Sequence, residues 1–271
     1  LETAWQIRRN RYDVAFNLHG GTTATFFVRA SGAKHRVGYK NYQYNFLYNH
    51  LLSSSSDFWQ QEQTHSAEQQ LALLGFVGVP VSDKLKSRLV INERALKSLE
   101  EKFNAKVQRV KDANFFFNQS AFALIHPTAA FASKQWATES FARIAEFLKE
   151  KSLNSVAIAM PKEREVLENL KQNSHVPIQI FDDLTLPEIT ALASKAKIFI
   201  GNDSGIAHIA AAVETPTVVI FGSSNIHHWR PWTNAANEIV YSGEEFDKSE
   251  SIKKITVENV IEAIEKILPK I

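Results

Sequence analysis

One stretch carries residue types that could do chemistry on an anionic, sugar-bearing ligand: Gly201-Asn-Asp-Ser-Gly205, inside the run GNDSGIAHIAAAVETPTVVIFG. Residues 198–200 just before it are apolar, as in a strand buried on both faces, and the turn residues that follow tolerate unusual backbone angles. Residues 206–213 are alanine-rich and helical, Pro216 stops that helix, and residues 218–221 begin a second buried strand. A helix starting at Ser204–Gly205 aims unpaired N–H groups and a positive dipole end at the strand mouth, which suits a phosphate. Gly205 has no side chain, so a diphosphate can approach its backbone closely. Asp203 would repel phosphate but accepts strongly from sugar hydroxyls, and His208, about a turn further on, could add a hydrogen bond. The plainer reading makes Asp203 or Ser204 an N-cap and His208 a packed helix residue.

A second phosphate-directed turn follows the apolar strand at residues 121–125. It reads IHPTAAFASKQW, with Thr128 in the small-residue loop and Lys134 before a helix. The spacing is not GxxxxGK[ST], so this is no P-loop, and Lys134 alone could equally be a surface lysine. After the next strand, Glu163 or Glu165 could meet a ribose or serve as a favourable acid in a first helical turn.

The elements that must position these groups alternate. Strand, turn and helix recur at residues 12–39 and from residue 121 onward, implying parallel sheets covered by helices. Near the start, YDVAFNLHGG runs a strand into a glycine turn at His19, Gly20 and Gly21. Residues 41–63 read as an irregular excursion, residues 89–91 as a short strand and residues 93–103 as a helix. A charged, then aromatic stretch at 104–120 places a domain boundary near Lys111, giving domains 1–110 and 111–271.

The GNDSG run closely resembles the donor-site motif of glycosyltransferase family 9, the ADP-heptose:lipopolysaccharide heptosyltransferases. IHPTAAFASKQW is similar to that family's HPGASWPTKRW, and YDVAFNLHGG…RVGY resembles its strand ending in DLHG with a later RIGF-like strand. The departures are Asn17 in place of an acid and Thr25 where an arginine is common. The resemblance implies a GT-B type α/β fold: two Rossmann-like parallel-sheet domains facing a cleft, the N-terminal one incomplete. It implies a donor site of Thr128, Lys134, Glu163, Asp203, Ser204, Gly205 and His208. By the same resemblance Lys134 neutralises the donor diphosphate and His19, Gly20 and Gly21 face the acceptor, although a tight strand-to-helix turn explains those three as well. The implied activity is inverting, metal-independent transfer of heptose from ADP-heptose to a lipid-linked lipopolysaccharide inner-core saccharide. The family's catalytic base, an aspartate after the first strand, is then expected upstream of Leu1. The alternatives are a non-catalytic or truncated nucleotide-sugar-binding module, or a relative using a different nucleotide sugar.

Composition narrows the classes. The 271 residues carry a net charge of +2, which gives no reason to propose nucleic acid as a partner. There are no cysteines, hence no disulfides or thiolate metal sites, in keeping with an intracellular protein. No apolar run approaches the ~18 residues a membrane span needs. No GxGxxG fingerprint speaks for a dehydrogenase, and no DxD motif for a metal-dependent glycosyltransferase. The adjacent His227 and His228 point opposite ways and are not read as a metal site, so neither cofactor nor metal is expected. A basic cluster of Arg29, Lys34, His35, Arg36 and Lys40 could meet a phosphorylated lipid or the cytoplasmic face of a membrane, or be a solvated face.

Overall fold

A computed structural model describes residues 2–109, 121–242 and 251–270. The chain divides into two compact units, Leu1–Leu85 and Lys86–Ile271. Both are α/β with parallel sheets, as the alternating pattern requires.

The smaller unit runs α1 (Glu2–Arg9), β1 (Val14–Phe16), α2 (Thr22–Ala30), β2 (His35–Tyr39), β3 (His50–Leu52), α3 (Ser55–Trp59) and α4 (Ser66–Phe76). Its strands pair in the order β1-β2-β3, all parallel. Residues 41–63 are therefore no irregular excursion. They hold the third strand and a helix whose N-cap, Ser54, accepts from the Asp57 N–H at 2.9 Å. A three-residue strand is too short to show a period, which is why the pattern hid it.

The larger unit runs α5 (Glu93–Arg109), β4 (Phe122–His126), α6 (Thr138–Glu150), β5 (Asn154–Ile158), α7 (Arg164–Asn173), β6 (Ile178–Phe181) and α8 (Leu186–Lys195). It continues with β7 (Ile198–Asn202), α9 (Gly205–Ala212), β8 (Thr217–Ile220), α10 (Ile226–Trp229), β9 (Asn237–Val240) and α11 (Val257–Ile267). Among the described residues the sheet has six parallel strands in the order β6-β5-β4-β7-β8-β9. Alternate residues feed two apolar layers. Ala123, Ile125, Ile198, Ile200, Val218 and Ile220 face the layer built with α6, α7 and α11. Phe122, Leu124, Phe199 and Val219 face the layer built with α5, α8 and α9. A parallel sheet covered on both faces must read as continuous apolar runs, and these strands do.

The division at Leu85 and Lys86 precedes the boundary expected near Lys111, which itself lies outside the described residues. Helix α5 belongs to the larger unit, because Leu99 and Phe103 are fully buried against its sheet layer. The expected strand at 89–91 is also absent. Val90 is 93% exposed, and Leu89 instead donates its N–H to the Ala212 carbonyl at 2.9 Å.

Glu188 ties α5 to α8. Its carboxylate accepts from Ser98 Oγ at 2.7 Å, Lys102 Nζ at 3.0 Å, and the Thr185 N–H and hydroxyl at 2.7 and 2.8 Å. Burial pushes its pKa up, but these donors outweigh burial and hold it at about 2. A depressed carboxyl stabilises the fold above its unfolded pKa and loses that contribution as pH falls. Stability should therefore drop by about 3 kcal/mol between pH 4.5 and 2 through this group. Denaturant titrations should show that drop in the wild type and a shallower one in Glu188→Gln.

Candidate functional site

The sheet order reverses between β4 and β7, since β4 leads outward through β5 and β6 while β7 leads the other way through β8 and β9. Ligands of open α/β sheets bind outside the strand carboxyl ends at such a switch point. A cavity of about 510 Å³ lies there. All seven residues assigned to the donor from sequence line it: Thr128, Lys134, Glu163, Asp203, Ser204, Gly205 and His208.

One buried amide holds the two central strand ends together. Asn202, fully buried at the end of β7, donates Nδ2–H to the Pro127 carbonyl at 2.9 Å and accepts the Trp136 N–H at 3.0 Å. That fixes the loop carrying Thr128 and Lys134 beside the turn carrying Asp203. Asp203 accepts at Oδ2 from Lys134 Nζ at 2.8 Å and from the Ser224 hydroxyl. Its Oδ1 takes no hydrogen bond from the described residues. Lys134 is thus no plain surface lysine: its side chain is 25% exposed and faces a carboxylate that is 6% exposed.

Neither Asp203 nor Ser204 caps α9 with its side chain. Ser204 occupies the N-cap position, but its hydroxyl bonds to His126 Nδ1 at 3.1 Å instead of to a helix N–H. The first N–H groups of α9 therefore keep their capacity for a ligand. A Cβ added at Gly205 would meet nothing within 4 Å, so the bare backbone there opens onto empty space.

His126, at the end of β4, was not singled out from sequence, and neither was Ser224. His126 is buried, and its Nε2 lies 3.2 Å from Thr128 Oγ1. Thr128 Oγ1 donates in turn to Glu163 Oε2 at 3.1 Å, and the Met160 N–H donates to the same oxygen at 3.1 Å. Burial drives the His126 pKa down to about 4, only partly opposed by the Glu163 charge, so the ring is neutral near pH 7. Burial likewise lowers His208, with Asp203 raising it and Lys134 lowering it further. Glu165 is exposed on α7, so of the two acids weighed from sequence only Glu163 reaches the cavity. The apolar side comes from Phe131, Ile158, Met160, Ile189 and Trp229.

His19, Gly20 and Gly21 belong to the smaller unit, where they form the tight turn between β1 and α2. Asn17 Oδ1 accepts the His19 and Gly20 N–H groups at 3.1 and 2.8 Å. Gly20 has φ +77°, and a Cβ there would press on the Tyr42 ring at 2.6 Å. The basic cluster is not one solvated patch. Arg36 donates to the Leu47 and Ala33 carbonyls, both at 2.8 Å, and His35 Nδ1 lies 2.9 Å from His50 Nε2.

A doubly covered parallel sheet with an open helix N-terminus, a lysine and a carboxylate at its switch point is the kind of place where open α/β sheets bind their ligands. The profile described as "Glycosyltransferase family 9 (heptosyltransferase)" matches residues 2–258, and the chain belongs to that family. It is a glycosyltransferase of the heptosyltransferase family with the GT-B type of fold. Lipopolysaccharide heptosyltransferase 3 of Escherichia coli is 26% identical over 97% of this chain and 77% of its own length. The structure of E. coli ADP-heptose lps heptosyltransferase II superposes with a TM-score of 0.78 at 20% identity, covering 99% of this chain and 80% of that one. E. coli heptosyltransferase WaaC with ADP-2-deoxy-2-fluoro heptose gives 0.65 at 13% identity, over 98% and 76%.

Two glycines separate folding from binding. A Cβ at Gly222 would collide with the Ser133 carbonyl oxygen and displace the loop that carries Lys134. Gly222→Ala should destabilise by roughly 1–3 kcal/mol through that backbone shift. Gly205→Ala should leave the melting temperature nearly unchanged, within the about 0.5 kcal/mol usual of sites without such a feature. Thermal melts of both variants beside the wild type check the contrast.

Proposed function

We propose that this chain carries the donor site of an inverting transferase that moves heptose from ADP-heptose to a hydroxyl of the lipopolysaccharide inner core. The observation that carries the reading is the convergence of Lys134, the α9 N-terminus and Asp203 on one cavity. Lysine has three N–H donors, and Lys134 uses one on Asp203, so two stay available for a diphosphate without breaking the pair. Asp203 Oδ1 would accept from heptose hydroxyls and Glu163 from the ribose, while Met160, Ile158, Ile189 and Trp229 would pack on the base. The similar E. coli proteins, an ADP-heptose lps heptosyltransferase and heptosyltransferase WaaC with ADP-2-deoxy-2-fluoro heptose, support the same donor here.

The step is a single displacement. The acceptor oxygen bonds to the anomeric carbon, the bond to the ADP oxygen breaks, and the acceptor proton passes to a base. Lys134 and the α9 N–H groups would meet the charge growing on ADP, so no metal is needed for the leaving group. By the family resemblance that base is an aspartate, and none of the residues assigned above takes the role. His19, Gly20 and Gly21 would line the acceptor side, and the reaction would take place in the cytoplasm at the inner-membrane surface. A nucleotide-sugar-binding module without turnover is the alternative.

Calorimetric titration with ADP, UDP, GDP and NADH tests the donor reading. ADP alone should bind well, and Lys134→Ala should weaken it ~10–100-fold, as expected for losing a charged hydrogen bond. Asp203→Asn should lower affinity for ADP-heptose more than for ADP. Equal binding of all four ligands, or an unaffected Lys134→Ala, would refute the assignment. Selective ADP binding without transfer of heptose to an inner-core acceptor would favour the module.

A further inference from the structure

The cavity's polar groups are joined through one buried side chain on the cavity wall, His126. His126 lies between the turn after β7 and the loop after β4, bonded to Ser204 on one nitrogen and to Thr128 on the other. Thr128 passes the connection on to Glu163, at the start of the segment after β5. Three strand ends therefore share one hydrogen-bond chain.

The direction of that chain follows from counting protons. Thr128 has one hydroxyl hydrogen, and it goes to the Glu163 carboxylate. Thr128 Oγ1 can then only accept from His126, so Nε2 carries the ring proton. The ring is neutral, which leaves Nδ1 bare, and Ser204 must donate to it. With its single hydrogen used, Ser204 Oγ offers only lone pairs to anything in the cavity. Glu163 is in the same position, because both of its hydrogen bonds fall on Oε2 and leave Oε1 open. Asp203 repeats the pattern, with Lys134 and Ser224 on Oδ2 and Oδ1 open.

We infer that His126 is a positioning residue: held as the Nε2–H tautomer by Thr128 and Glu163, it takes the Ser204 hydrogen and leaves Ser204 a pure acceptor beside the Glu163 carboxylate, making one wall of the cavity selective for hydroxyl-bearing parts of the ligand. Lone pairs repel phosphate oxygens and accept sugar and ribose hydroxyls. Donors for phosphate are left to Lys134 and the α9 backbone. Ser204 then belongs to the sugar side of the site, although its place at a helix N-terminus would suggest a phosphate contact. The functional half of this inference rests on the donor reading above; the proton arrangement does not.

Two measurements test it. Long-range proton–nitrogen correlation spectra of uniformly 15N-labelled protein report each histidine tautomer, and loss of one signal set in His126→Gln assigns His126 among the nine histidines. The expected result is a neutral Nε2–H ring at pH 7 without ligand. An Nδ1–H tautomer, or a ring protonated at that pH, overturns the proposal. Titration with ADP and ADP-heptose then reads the consequence. Ser204→Ala should weaken ADP-heptose ~5–10-fold more than ADP, the usual scale of one hydrogen bond. His126→Phe should show the same selective loss, and His126→Gln, which can still donate toward Thr128, should recover part of it. An equal loss for both ligands would mean that Ser204 serves the phosphates and would refute the inference. Wild-type protein that binds neither ligand would defeat the donor reading, and the tautomer spectrum would still decide the proton arrangement.

Discussion

A primary amide that exposes no surface holds the site in place. Asn202 donates to the loop after β4 and accepts from the residue that opens the way to α6. The contacts of Lys134 with Asp203 and of Thr128 with Glu163 depend on that clamp, because both residues lie between its two anchor points, Pro127 and Trp136, in the chain. Losing it would also strand buried donors and acceptors, which costs more than the bond itself contributes. Gly201, one residue earlier, keeps the strands close enough for the clamp to form. A Cβ there would stand 2.9 Å from the His126 carbonyl and 2.7 Å from the Phe199 ring. The residues that read as turn formers in the GNDSG run thus do two jobs. The first two join strands, and the last three line the cavity.

Charge in the cavity is arranged so that each ionic group is partly satisfied and partly open. Taking a carboxylate out of water is costly unless donors replace the water. Asp203 meets that cost with Lys134 and Ser224 on one oxygen, and Glu163 does so with Thr128 and the Met160 N–H. In both cases a single oxygen absorbs the internal donors. An evenly shared set would have left no oxygen wholly open to a ligand. A lysine beside a carboxylate also limits the net charge that an arriving diphosphate would meet.

The sequence was most legible where local pattern and tertiary role coincide. Strands β4, β7 and β8 are buried on both faces, so their apolar runs could be read directly, and the turns after β4 and β7 carry their chemistry in contiguous motifs. All seven donor-side residues therefore converge as expected. What stayed hidden depends on contacts distant in sequence. The bond from Ser204 to His126 spans 78 residues and that from Thr128 to Glu163 spans 35. Nothing in the spacing could have turned the Ser204 hydroxyl away from its own helix. The division between the two units falls earlier in the chain than the composition suggests, for a related reason. A change of composition marks a linker, whereas the apolar face of α5 decides which unit the helix joins. His126 itself sits inside a quoted motif, and a buried polar residue at a strand end, where ligands gather, is the signal that could have found it.

The smaller unit shows how a departure from the family pattern can be absorbed. Asn17 and Thr25, the two positions that differ from the resemblance, are both buried and bonded to each other at 3.2 Å. Tyr48 joins them, lying 2.7 Å from each. The three side chains form a closed neutral network, and Asn17 Oδ1 is left to shape the turn at His19 and Gly20. An aspartate at position 17 could accept the same two N–H groups but would have no hydrogen to give Thr25 or Tyr48. A charge buried there without a cation would be expensive. The amide, the threonine and the tyrosine therefore require one another, and the shape of this turn follows from the network rather than from any one of them.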